Sequence, residues 1–83
     1  MSIFRIPVNK AVDTAAAFLK RNRIKNPRLE ARLLVACATE LSNSTIISSP
    51  EYLIDARQNK RISEIVCRRC EGEPLAYILG EKE

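Results

Sequence analysis

The sequence predicts an all-α fold, a small antiparallel bundle of four to five helices, from three features of its 83 residues. There are only two glycines, and Ala, Leu, Arg and Glu outnumber the β-branched residues, a mixture that favours helix. Apolar residues recur at spacings of three and four along the longer segments. Short clusters of Asn, Pro, Ser and Gly separate those segments, so neighbouring helices must run antiparallel. A chain of this length makes one domain at most. At that size only about 60% of the unfolded surface is buried, so the core is thin.

The first helix is NKAVDTAAAFLKRNRI, residues 9–24, with Asn9 as its cap. Val8, Val12, Ala15, Ala16 and Leu19 form its apolar stripe. Lys20, Arg21 and Arg23 close it where positive charge complements the helix dipole. The second helix lies in KNPRLEARLLVACATEL, residues 25–41. Asn26 caps it, Pro27 takes the first helical position and Glu30 falls in the first turn. Its stripe reads as Leu29, Leu33, Ala36 and Cys37, with Leu34 and Leu41 beside it. SNSTIISSP, residues 42–50, permits only a short helix or turn before Pro50, with Ile46 and Ile47 plugging the core. A long helix follows in DARQNKRISEIVCRRCEG, residues 55–72, capped by Asp55 and closed by Gly72. Ile62, Ile65 and Val66 form its inner face. Its first half is polar enough that Pro50 could also open it. A last short helix starts after Glu73 and Pro74 and ends at Gly80.

Few residues offer chemistry. Histidine is absent, which removes the commonest general base and the commonest neutral metal ligand. Phosphate-binding loops need glycines, and only Gly72 and Gly80 are present. Cys67 and Cys70 form a C-x-x-C, but a closed zinc site needs four ligands and only Cys37 remains. A redox pair normally opens a helix, where the dipole favours thiolate, whereas this pair closes one. The cysteines therefore read as structural or incidental. No catalytic, cofactor-binding or metal-binding residue is assigned.

The net charge of +4 is uneven. Residues 1–40 hold eight Lys/Arg against three acids, and residues 41–83 six against seven. The run Lys20–Arg28 concentrates the positive charge, and Arg21, Arg23, Lys25 and Arg28 are the candidate partner-binding residues. A helix–turn–helix reading is disfavoured because the second helix is crowded with Leu, Val, Ala and Cys rather than base-reading side chains. No aromatic interleaving suggests RNA stacking. No stretch approaches the roughly 20 apolar residues of a membrane span. The start, MSIFRIPVNK, lacks the apolar core of a secretory signal, so a cytoplasmic protein is expected.

The remaining anomaly is the ending, RRCEGEPLAYILGEKE. Leu75–Leu79 form a dense apolar knot that a helix this short cannot turn wholly inward. The segment resembles the signature with which the N-terminal domain of release-factor-specific protein-(glutamine-N5) methyltransferases joins its catalytic domain. Arg68, Arg69, Gly72, Glu73, Pro74, Tyr77, Ile78, Gly80 and Glu83 carry the resemblance. LEARLLVACATEL, residues 29–41, resembles the family's Leu-rich second helix.

The resemblance implies a helical domain over residues 1–72 that engages a peptide-chain release factor. Residues 73–83 then lead into a catalytic domain that uses S-adenosylmethionine to methylate the glutamine of a Gly-Gly-Gln loop. Neither the Gly-rich cofactor loop nor the Asn-Pro-Pro-Tyr motif of that domain is in this sequence. On this reading Arg68, Arg69, Glu73, Leu75, Tyr77, Ile78, Leu79 and Gly80 form an interdomain seam. Gly80 would let the chain turn, and Arg68 and Arg69 would pair with Glu71, Glu73 or acids of the catalytic domain. Two other classes fit the same residues: a stand-alone helical protein-interaction module and a small nucleic-acid-binding domain.

Overall fold

The structure, a computed structural model, describes residues 4–80. Glu83 of the terminal motif and the end of the 73–83 linker lie outside them. Five helices and two short strands follow one another: β1 (Arg5–Pro7), α1 (Val8–Arg21), α2 (Pro27–Thr39), α3 (Asn43–Ser48), β2 (Leu53–Asp55), α4 (Ala56–Cys70) and α5 (Leu75–Gly80). The expected helical bundle is there. Helices α1, α2 and α4 pack in all three pairings, α3 leans on α2, and α5 lies against α2 and α4.

The strands were not expected. β1 and β2 pair antiparallel with Ile6 opposite Ile54. Ile54 is fully buried, and Ile6 packs against the core. This ribbon changes how α1 begins. The helix starts at Val8, so Asn9 lies inside it and makes no cap; Pro7 holds the cap position. The first amides are satisfied from a distance instead: Val8 N–H donates to the Tyr52 carbonyl at 2.7 Å and Asn9 N–H to that of Pro50 at 3.0 Å. Orphan donors at a helix start need partners, and the 50–52 segment supplies them.

The stripe on α1 is as read: Val8, Val12, Ala15, Ala16 and Leu19 are buried, and Ala11 joins them. That on α2 is not. Ala31, Leu34 and Val35 are the buried apolar residues, Ala36 and Cys37 only border the core, Leu33 is half-buried, and Leu29 faces solvent. A helix wedged against both α1 and α4 buries the residues between two contact lines, not a single stripe. Thr39 joins this buried face because its hydroxyl donates to the Val35 carbonyl at 2.7 Å. Ile46 plugs the core as expected, while its neighbour Ile47 is exposed.

Asp55 caps α4, which settles its start. Its carboxylate accepts from the Gln58 amide at 2.8 Å, and the Gln58 side chain accepts from the Asp55 amide at 3.0 Å. This reciprocal box fixes the first turn although the sequence around it is polar. Ile62, Ile65 and Val66 face inward as read. The helix ends in a Schellman motif: Gly72 N–H bonds to Arg69 O, and Glu73 N–H to Arg68 O. Gly72 takes φ +107°, as this motif needs. The end of α1 repeats the pattern, with Arg23 N–H on Lys20 O and Ile24 N–H on Leu19 O. There Arg23, not glycine, occupies the left-handed position, with φ 63°.

Gly80 is different. It closes α5 without a positive φ, so the turning freedom expected of it is not used within the described residues. This contrast is testable by one substitution made twice. An added Cβ would meet nothing within 4 Å at either glycine. Gly72→Ala should nonetheless destabilise the chain by about 1–3 kcal/mol in urea unfolding, because an L-residue is strained at that φ. Gly80→Ala should lie within about 0.5 kcal/mol of the parent.

Candidate functional site

The structure divides the basic run. Arg28 turns back along α2 and donates to Asp13 of α1 at 2.6 Å. Both side chains are more than half exposed, so this pair contributes at most about 1 kcal/mol, but it removes Arg28 from the available charges. Arg21 lies over the Phe18 ring, 5.6 Å from its centroid. Arg23 and Lys25 are exposed in the α1–α2 connection. The available patch is thus Lys20, Arg21, Arg23 and Lys25 at one corner, with a half-exposed aromatic beside it.

The terminal segment is also divided. Leu75, Ile78 and Leu79, at helical spacing, turn toward the core; Ile78 is fully buried and the two leucines border it. Tyr77 points away and is 66% exposed. Of the four apolar seam residues read from the sequence, Tyr77 is therefore the one left free for another surface. The arginines beside this segment are engaged. Arg68 pairs with Glu73, as expected. Arg69 pairs with Glu30, an acid that the sequence reading did not single out for it. Its Nε donates to Glu30 Oε1 at 2.7 Å and its Nη2 to Oε2 at 3.4 Å, while Nη1 reaches the Glu73 carbonyl at 3.2 Å. The Glu30 hydrogen bond raises the Arg69 pKa further, so its charge is permanent.

A groove missed in the sequence runs between α1 and α4, with a cavity volume of about 640 Å³. Its floor is apolar: Ala11 and Ala15 from α1, Ile62 and Val66 from α4, and Ile6. The rim carries Thr14, Asn22, Asn59 and Ser63. Phe18, with Arg21 over its ring, stands at the end near the basic corner. The signal in the sequence was Phe18 itself, a large apolar residue placed beside the buried stripe rather than in it.

The C-x-x-C lines the same groove. The Cys67 thiol lies 3.8 Å from the Glu71 carboxylate, and that of Cys70 lies 3.9 Å from the Phe18 carbonyl. Burial pushes the Cys70 thiol up, against thiolate chemistry. Among the described residues no group of three His, Cys, Asp or Glu is placed to hold a metal ion, and no helix is long and apolar enough to cross a membrane.

Residues 10–80 match the model of the PrmC N-terminal domain family. The chain is 46% identical over 59 residues to a release factor glutamine methyltransferase of Coxiella burnetii, covering 71% of this chain and 21% of that protein. It is 33% identical over 76 residues to a release factor glutamine methyltransferase of Koribacter versatilis, covering 92% and 27%. A bifunctional methyltransferase of Rickettsia bellii is 33% identical over 76 residues, covering 92% and 14%. The chain thus spans about a quarter or less of the length of these relatives. No solved structure matches.

The cysteine geometry has a measurable consequence. In a variant retaining only Cys70, iodoacetamide should alkylate the folded chain several-fold more slowly than the unfolded chain at about pH 8. The gap should narrow as the pH rises beyond the range in which the unfolded thiol is already ionised, because the folded thiol then follows it. Equal rates at the lower pH would remove burial as the controlling factor.

Proposed function

The chain belongs to the PrmC N-terminal domain family, and from that premise we propose that it is the substrate-recognition domain of an S-adenosylmethionine-dependent methyltransferase. The substrate is the glutamine of the Gly-Gly-Gln loop of a peptide-chain release factor, modified on its side-chain nitrogen. The observation that carries this reading is the similarity along most of the chain to relatives named release factor glutamine methyltransferase.

The residues present support a recognition role better than a catalytic one. They include no histidine and only two glycines, so they do not fit a cofactor loop, and S-adenosylmethionine belongs to the catalytic domain of the whole enzyme. What this chain offers is surface: a basic corner at the α1–α2 connection and the exposed Tyr77 on α5. The basic corner engages the release factor. Tyr77, exposed on α5, meets the catalytic domain, where its ring can be buried and its hydroxyl hydrogen-bonded. A release factor works in translation termination, which places the enzyme in the cytoplasm.

Charge at an interface rim changes the rate of encounter more than the stability of the complex. Combining Arg21→Glu, Arg23→Glu and Lys25→Glu should slow association with unmethylated release factor by about tenfold or more at low salt, and flatten its salt dependence. Stopped-flow or surface-based kinetics would read both. If neither the rate nor its salt slope changes, the basic corner is not the docking surface.

A further inference from the structure

Resting on the release-factor reading, we infer that the groove between α1 and α4 seats an amphipathic segment of the release factor. Its apolar side chains enter the groove, and its acidic ones meet Arg21 and the basic corner.

The groove exists because of side-chain size. Ala11 and Ala15, four residues apart on α1, are too small to fill the space facing Ile62 and Val66, four apart on α4. The result is a trough along two helices, the shape that accepts a helix or extended segment by its apolar anchors. Its rim is hydroxyl and amide, and Glu71 is the only charged lining group among the described residues. Nothing there converges on a phosphate or carboxylate, as a cofactor site would require. Phe18 is 49% exposed at the end of the trough, with the Arg21 guanidinium on its ring. The apolar surface and the positive corner are thus continuous. Lys20, Arg23 and Lys25 extend that charge, while Arg28 is paired elsewhere.

Charge and placement select among occupants. A second copy of this chain would bring one basic corner toward another, since residues 1–40 carry eight Lys/Arg against three acids. The chain's own catalytic domain is reached through α5, which packs on α2 and α4. A partner with an acidic, apolar-anchored segment satisfies both the trough and the corner.

The test uses the full-length enzyme with two variants at exposed positions, Phe18→Ala to remove the anchor and Ser63→Trp to fill the trough. KM and kcat are measured for intact release factor and for a short Gly-Gly-Gln peptide. Docking in the groove raises KM for the factor by about fivefold or more, as for truncating one interface anchor. It leaves kcat at saturating factor, and all peptide kinetics, within about twofold. If both variants keep the parent KM while the factor is methylated normally, the groove proposal is wrong and the release-factor reading stands. A parallel loss on factor and peptide also overturns it, since the groove would then act through the fold. A parent enzyme that leaves the factor unmethylated removes the release-factor reading, and this proposal with it.

Discussion

The Arg69 guanidinium joins three parts of the chain at one point. It sits in the last turn of α4 and binds Glu30 in the first turn of α2. Its remaining nitrogen reaches the Glu73 carbonyl, at the corner where α4 gives way to α5. The two charges lie where the dipole ends of their helices favour them, an acid at an N-terminus and a base at a C-terminus. Their side chains are only 21% and 14% exposed, against 60% and 56% for Arg28 and Asp13. Shielding from water makes the Arg69–Glu30 fork the stronger of the two, and loss of either partner would strand a charge.

That connection matters because the core is small. The largest fully buried side chains are aliphatic, and α5 contributes Ile78 alone among them. A six-residue helix has little stability of its own and depends on what it is packed against. With Ile78 below and the Arg69 corner before it, α5 is held across α2 and α4, and Tyr77 is presented outward. The groove lies where α4 meets α1. α4 thereby contributes to both proposed surfaces, the α5 seam and the groove.

Local physics was legible in the sequence where one face decided burial. The α1 stripe, the inner face of α4, the Asp55 cap and the Gly72 terminus could all be read from neighbours within a turn or two. On α2 the sequence was ambiguous: Leu29, Leu33, Leu34, Val35, Ala36 and Cys37 are apolar over several registers. Only contact with two helices at once selects Ala31, Leu34 and Val35. The ribbon was invisible because its strands are three residues long and lie far apart in the chain. Its consequence, the displaced start of α1, was hidden with it. The same distance hid the Arg69–Glu30 pair, although both residues were in view. The groove is a product of absence: Ala11 and Ala15 read as ordinary core, and only the facing helix shows that they leave space. The terminal motif, by contrast, identified the family from a short run of residues, although not which of its side chains remain accessible.

The measurement that tests this account most directly is the coupling free energy between Glu30 and Arg69. Urea unfolding of the parent, Glu30→Gln, Arg69→Gln and the double variant closes the cycle. A coupling of about 1 kcal/mol or more is expected, since the pair is shielded and bridges the two helices that carry α5. A coupling within about 0.3 kcal/mol of zero would contradict the account. The pair would then be no more than a surface contact, and Ile78 alone would have to hold α5 in place.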